Sequence, residues 1–274
     1  VITLEEKIEK LRTIIEGYGS LLVAFSGGVD SSLLLKVAVD TLGDNVTAVT
    51  EASPLHQSWE LTEARELAAA LGVRHIVLAG DELASPEFAA NPPDRCYLCK
   101  SVIFGEAAKA AAELGLKVIA DGSNLDDLGD YRPGRRALAE MGIKSPLVEA
   151  GLTKSEIREA SRIFGLPTWN RQPLACLASR FPYGTEITRQ RLRQVEECET
   201  FLRHEGFTTF RVRYHGAVAR IEVSSADLER LTASPLRQRV TASFRTAGFT
   251  YVTVDLDGFR SGSMNETLPT QNDV

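Results

Sequence analysis

Between residues 21 and 121, short apolar runs alternate with longer segments of helical character, and few folds accommodate that order. Residues 21–25 have the length of a strand; a stretch of small residues, 26–30, follows, and 31–42 then has helical character up to Gly43. Residues 46–50, 75–79 and 117–121 read as further strands, with 58–71 and 101–114 as helices between them. Strands joined through helices run parallel, so the pattern predicts an α/β fold: a parallel sheet with helices on both faces. Ahead of it, Leu4, Ile8, Leu11 and Ile15 share one face of an amphipathic helix that Gly17 and Gly19 close. Beyond Gly151, Thr153 and Glu156 form a capping box for a helix that runs to Phe164, where Gly165 and Pro167 stop it.

The alternation then ends. A loop rich in proline, glycine and arginine spans 168–184, followed by a charged helix over 188–204 and strands over 210–214 and 219–223. Helical stretches over 226–232 and 236–247 and a strand over 251–256 complete a smaller α+β C-terminal domain. The 274 residues therefore divide into 1–170, 171–262 and a polar tail, 263–274, expected to fray.

Charge divides along the same line. Residues 1–170 carry 17 basic and 25 acidic side chains, whereas 171–274 carry 14 against 12, and all 14 are arginine. Arginine offers a planar fork of donors matched to phosphate and carboxylate, so this half suits a small anionic ligand; arginines exposed on the surface are the plainer alternative. The net charge of −6 argues against a nucleic-acid partner. No stretch reaches the ~18 consecutive apolar residues of a membrane-spanning helix. The chain opens on Val1, with Glu5, Glu6 and Lys7 close behind and no apolar signal segment, so a cytoplasmic protein with a trimmed start and no membrane partner is expected. Four cysteines are too few for a disulfide scaffold, and the Cys96-x-x-Cys99 pair points to metal or redox chemistry, while Cys198 reads as an ordinary thiol.

The segment Ser26-Gly27-Gly28-Val29-Asp30-Ser31-Ser32 carries the clearest chemistry. It follows a strand and opens a helix, where ligands of parallel α/β sheets bind. Two glycines allow a tight turn and close approach of the backbone, and free amides at a helix N-terminus make a nest for phosphate oxygens. Ser26, Ser31 and Ser32 add hydroxyls, and Asp30 either caps the helix or helps to hold Mg²⁺ through water. A well-capped strand-to-helix turn would use the same residues. The Gly-Lys-Ser/Thr of a Walker loop is absent. The segment resembles instead the pyrophosphate loop of the PP-loop ATP pyrophosphatase superfamily, with its adenine nucleotide alpha hydrolase-like domain. That resemblance implies cleavage of Mg-ATP between the α- and β-phosphates and an adenylylated intermediate. Asp121-Gly122-Ser123-Asn124-Leu125-Asp126-Asp127 resembles a second segment of that superfamily and adds Gly122, Asn124 and Asp126 to the ATP site.

Distant strings narrow the likeness: Asp130-Tyr131-Arg132-Pro133-Gly134, Trp169-Asn170, Ser179-Arg180-Phe181-Pro182-Tyr183-Gly184, Arg211-Val212-Arg213, Ala219-Arg220-Ile221-Glu222 and Gly258-Phe259-Arg260-Ser261-Gly262. Together they resemble the LarE family of ATP-dependent sulfur transferases. The resemblance implies a substrate, pyridinium-3,5-biscarboxylic acid mononucleotide, whose carboxylates are adenylylated and become thiocarboxylates for the nickel-pincer cofactor of lactate racemase. It assigns substrate binding to Arg180, Arg211, Arg213, Glu222 and Arg260, and implies a sulfide donor and a homo-oligomer. Arg211 and Arg213 alternate along a strand and so share a face, which could equally be solvated, and Glu222 reads equally as a surface residue. Some relatives sacrifice a cysteine in the position of Cys176 as sulfur donor. Here Cys96, Cys99 and Cys176 together suit a [4Fe-4S] cluster with one iron left open. A zinc site completed by one of His56, His75, His204 or His215 is the alternative, although these show no ligand spacing. A cluster-dependent tRNA thiolase and a nucleotide sensor without turnover are the competing functions.

Overall fold

The computed structural model describes residues 2–129, 133–172, 175–260 and 262–267. The chain forms two compact units, one of Val1–Glu82 with Asp94–Leu174, the other of Leu83–Pro93 with Ala175–Val274. Residues 83–93, assigned to the 1–170 domain from sequence, belong to the second unit.

In the first unit, helix α1 (Leu4–Tyr18) leads into strand β1 (Leu21–Ala24), helix α2 (Val29–Leu42), strand β2 (Val46–Ala52), helix α3 (Ser58–Ala70) and strand β3 (Arg74–Ala79). Helix α4 (Arg95–Glu113), strand β4 (Val118–Ala120), helix α5 (Gly134–Glu140) and helix α6 (Lys154–Ile163) follow. The four strands are parallel, in the order β3-β2-β1-β4. Successive side chains of a strand point to opposite faces. Accordingly Leu21 and Val23 of β1 pack into a core with Ile8, Leu11 and Ile15 of α1, Leu33, Leu34 and Val37 of α2, Ala64 and Leu67 of α3, and Ile157 and Ala160 of α6. Leu22 turns to the other face, where Phe104, Ala107 and Ala111 of α4 and Leu138 of α5 cover it. The predicted doubly covered parallel sheet is therefore the observed one.

Two boundaries differ in ways that touch function. Helix α2 begins at Val29, so Asp30 lies inside its first turn while Gly28 holds the N-cap position without a side-chain cap. Helix α4 begins at Arg95, six residues ahead of the predicted start, which puts Cys96 and Cys99 on a helix. The capping box of α6 is formed: the Thr153 hydroxyl accepts from the Glu156 amide and the Glu156 carboxylate accepts from the Thr153 amide.

In the second unit, helix α7 (Arg189–His204), strands β5 (Phe210–His215) and β6 (Val218–Val223), helix α8 (Leu236–Thr246) and strand β7 (Tyr251–Val254) build a three-stranded sheet in the order β5-β6-β7. β5 and β6 are antiparallel, β6 and β7 parallel. Phe181 and Tyr214 stack at 5.1 Å, and Tyr214 meets Phe249 at 5.9 Å. The segment 83–93 is built in by Phe88, which is buried, and by Asn91, whose side-chain amide donates to the carbonyls of Phe181 (3.4 Å) and Pro182 (2.8 Å). Residues 263–267, expected to fray, form a short 3-10 turn in which Ser263 and Met264 are buried. Asp130, Tyr131, Arg132 and Ser261, and the tail from 268, lie outside the described residues.

Candidate functional site

Strand order decides where a ligand can enter the first unit. From β1 the chain moves outward to β2 and β3, then returns to place β4 on the other side of β1. The crevice at the carboxyl ends of β1 and β4 is thus the switch point at which open α/β sheets bind ligands. The two segments singled out from sequence leave those two strand ends.

After β1 the chain turns through Gly27 at φ +71°, a conformation that favours glycine. The Ser26 hydroxyl accepts from the Gly28 amide (3.3 Å) and lies 3.2 Å from the Ser31 hydroxyl, which accepts in turn from the Ser26 amide (3.3 Å). These bonds curl the loop over the start of α2, whose uncapped first turn directs its amides outward. Ser32 is fully buried in α2, and its hydroxyl has no hydrogen-bond partner among the described residues, so it stands apart from the loop-lining Ser26 and Ser31.

The segment after β4 is packed directly on this turn. A Cβ on Gly122 would stand 3.0 Å from the Ser31 amide nitrogen and 3.2 Å from its Cα, so any side chain there would push the two backbones apart by a few tenths of an ångström. Asn124 donates to Asp30 Oδ1 at 3.2 Å and accepts from the Asp126 amide at 3.0 Å. Asp121, buried at the end of β4, accepts from Ser123 (2.5 Å) and Ser145 (2.6 Å). Asp30, Gly122, Asn124 and Asp126 are therefore brought together.

Three residues missed by sequence reasoning complete the crevice. Lys154, first residue of α6, pairs through Nζ with the Asp30 carboxylate, and its amide donates to Asp126 Oδ2 at 2.7 Å. A lysine at a helix N-terminus opposes the helix dipole, and that misfit was the available signal. Arg171 donates to the Gly27 carbonyl at 2.5 Å and pairs with Glu63, and Arg158 holds the carbonyls of Trp169 (2.9 Å) and Arg171 (2.7 Å). The loop is thereby braced from beneath.

Cys96 is exposed and Cys99 half-buried, three residues apart on the first turn of α4. The Cys99 thiol lies 3.6 Å from Glu82 Oε1, and Ser53 donates to Glu82 Oε2 at 2.5 Å. Glu51, at the end of β2, is pushed up to about 8 by burial and by the neighbouring Glu82 carboxylate. Burial lowers His56 against the opposing pull of Glu82. Among the described residues no three His, Cys, Asp or Glu side chains are grouped as a metal site.

In the second unit Cys176 is half-buried and precedes a 3-10 turn, Leu177–Arg180. The antiparallel register sets Arg211 opposite Glu222 and Arg213 opposite Arg220 on one face of β5 and β6. That face is not solvated at its centre: Arg213 and Glu222 are buried and pair at 2.7 Å, and Arg220 meets the other Glu222 oxygen at 3.1 Å. Ser263 bridges the pair, accepting from Arg213 (3.0 Å) and donating to Glu222 (3.1 Å). Glu222 as a surface carboxylate is thus excluded. Arg211 lies over the Phe259 ring, 5.2 Å from its centroid, and burial, then Arg180 nearby, lower its guanidinium to about 10. Arg180 is buried against Glu199, whereas Arg260 is partly exposed among Asp255, Asp257 and Glu266. Cys198 is buried in α7, which pushes its thiol up. Among the described residues no helix is long and apolar enough to cross a membrane.

Comparison with known proteins agrees with this geometry. Residues 16–109, which hold β1, the loop, α2, β2, α3 and β3, match the asparagine synthase family. The chain is 42% identical over 265 residues to an uncharacterised protein of Synechocystis, covering 97% of this chain and 99% of that one. It is 40% identical over 267 residues to the pyridinium-3,5-bisthiocarboxylic acid mononucleotide synthase of Lactiplantibacillus plantarum, covering 97% and 96%. A more distant relative, one subunit of the glutamine-hydrolyzing GMP synthase of Methanothermobacter thermautotrophicus, is 26% identical over 211 residues, 74% of this chain and 68% of that one. With a PP-loop at the switch point and a synthase of this identity matched almost end to end, the chain belongs to the LarE family of PP-loop enzymes.

Proposed function

We propose that this protein is an ATP-dependent sulfur transferase acting on pyridinium-3,5-biscarboxylic acid mononucleotide. The observation that carries the reading is the packing of the Ser26–Ser32 loop against Gly122, Asn124 and Asp126, in a chain 40% identical to a synthase of the bisthiocarboxylate. In this reading the amides of the loop and of the first turn of α2 hold the β- and γ-phosphates of Mg-ATP, with Ser26 and Ser31 as further donors. A substrate carboxylate oxygen attacks the α-phosphorus, pyrophosphate leaves, and the acyl adenylate is open to sulfur, with AMP as the second leaving group. Asp30 and Asp126 supply carboxylates for Mg²⁺; Lys154, already paired with Asp30, offers a cation that pyrophosphate can share. The arginine face of β5 and β6, with Arg211 set over the Phe259 ring, receives the phosphate and carboxylates of the substrate.

For the sulfur source, Cys96 and Cys99 one helical turn apart fit two corners of a cubane, and Cys176 is the third ligand in this reading. When bound, a [4Fe-4S] cluster with one open iron supplies a renewable place for sulfide. Substrate-dependent pyrophosphate release from Mg-ATP tests the activation half. For the transfer half, Cys96→Ala, Cys99→Ala and Cys176→Ala should each abolish multi-turnover thiocarboxylate formation in anaerobically prepared protein while pyrophosphate release persists. Intact mass after reaction with sulfide present decides the route: a stoichiometric loss of one H₂S from Cys176 would replace the cluster by a sacrificial cysteine. A homo-oligomer of this chain and an external sulfide donor complete the proposal.

A further inference from the structure

We infer that Arg180 is a positioning residue for Cys176, anchoring the cysteine's backbone to the sheet of the second unit, and not a contact to the substrate. The inference rests on the reading that Cys176 carries or holds the transferred sulfur. Arg180 is 3% exposed. Its Nη1 donates to the carbonyls of Ala175 (2.6 Å) and Cys176 (3.1 Å) and to the Ser179 hydroxyl (2.9 Å), so one side of the guanidinium wraps the backbone that bears the thiol. The other side, Nε and Nη2, makes a two-pronged pair with Glu199 at 2.8 and 2.9 Å. Glu199, buried on α7, is itself fixed by the Val212 amide of β5 at 2.9 Å. Burial would raise the Glu199 carboxyl, yet the Arg180 guanidinium overrides it and holds the group below the usual carboxylate range. A continuous path of bonds thus runs from β5 through Glu199 and Arg180 to the carbonyls of residues 175 and 176. A second arginine assists, Arg213 donating to the Ser179 carbonyl at 3.0 Å.

Two physical arguments give this path its role. Burying an ion pair is costly, and well-packed apolar residues would stabilise a core as well or better, so the pair is weak as a stability device. Its geometry is specific instead: a planar fork bound on both edges fixes the orientation of whatever backbone it grips. The short 3-10 turn that follows the thiol ties the Cys176 carbonyl to the Ser179 amide at 3.0 Å, and the guanidinium adds its own grip on that same carbonyl and on Ala175. A lysine in place of Arg180 keeps the charge beside Glu199 and cannot grip both edges.

The test reads thiol accessibility and is independent of sulfur transfer. Full-length protein, stripped of metal by a chelator, is treated with iodoacetamide, and the alkylation rate of each cysteine is followed by peptide mass spectrometry in the wild type and in Arg180→Lys. Cys198, fully buried in α7, is the internal sentinel for unfolding. The expected result is a rise of threefold or more in the rate at Cys176 while Cys198 stays protected. A change of less than threefold at Cys176 with Cys198 protected would overturn the inference. Should Arg180→Lys expose Cys198, the decision passes to Glu199→Gln, which keeps an acceptor for Arg180 and for the Val212 amide while removing the charge. There, a threefold rise at Cys176 alone supports the anchor, and an unchanged rate, or a parallel rise at Cys198, rejects it. Failure of sulfur transfer in the wild type would refute the proposed function and leave this readout intact.

Discussion

Single residues at the switch point carry unequal burdens. Gly28 sits at φ −72° and a Cβ there would meet only the Ser26 hydroxyl at 3.3 Å, so in the proposed function its part is the room it leaves for phosphate. Gly28→Val should keep the fold and abolish pyrophosphate release; unchanged release would remove the loop from the mechanism. Gly122 differs, since its neighbour is the rigid backbone of Ser31. Gly122→Ala is expected to cost about 1–3 kcal/mol by overpacking, read from urea denaturation, and to weaken ATP binding in parallel. In the second unit Arg211 and Arg213 look equivalent in sequence but are not. Arg213→Ala leaves the buried Glu222 with Arg220 and the Ser263 hydroxyl and should cost about 3–5 kcal/mol of stability. Arg211→Gln should leave the fold nearly intact and weaken substrate binding about ten- to a hundredfold by calorimetry. The tight turn through Gly27 and Gly28 was legible because its geometry is local, whereas the burial of Ser32 within α2 was not. Lys154 and Arg171 were not, because each acquires its partner from a residue more than a hundred positions away.

At the scale of elements, the alternation of strands and helices from 21 to 121 was readable, since period and length speak for themselves, but α5 and two helix starts were not. α4 opens beyond Pro92, Pro93 and Asp94 with no side-chain cap, so the sequence offers no sharp start signal and the cysteine pair passes for loop. α6 is the opposite case, with both halves of its capping box formed and Lys7 reaching Glu156 at 2.6 Å. Thr153→Ala should therefore cost about 1 kcal/mol, and because Lys154 is the next residue, ATP affinity should fall with it. The end of β2 carries a pH dependence. Folded Glu51 keeps its proton up to about 8, whereas the unfolded chain releases it near the ordinary value of 4.5. The folded state binds the extra proton, so this stabilisation is full below the unfolded value and is lost as pH rises through the folded one. Melting temperature should decline between pH 5 and 8, and Glu51→Gln should flatten the decline; a slope identical in the variant would show that Glu51 does not titrate there.

In the molecule as a whole, the two units interleave along the sequence. The excursion 83–93 into the second unit has no signature of its own, because Asn91 finds its partners only some ninety positions later. A fragment 175–274 should accordingly fail to fold, leaving the Phe181 and Pro182 carbonyls and the Gly184 and Ile187 amides without the partners that 83–93 provides. Adding a synthetic peptide of residues 83–93 should restore helical circular dichroism to that fragment, and recovery without the peptide would refute the dependence. The same threading has a consequence during synthesis on the ribosome. The strip containing Phe88 and Asn91 emerges long before residues 181–187 exist to receive it, with the rest of the first unit made in between. The nascent chain must therefore carry an apolar side chain and an unmatched amide in the open while it finishes one half of itself. Only when residues 181–187 are released can the earliest piece of the second half be locked away.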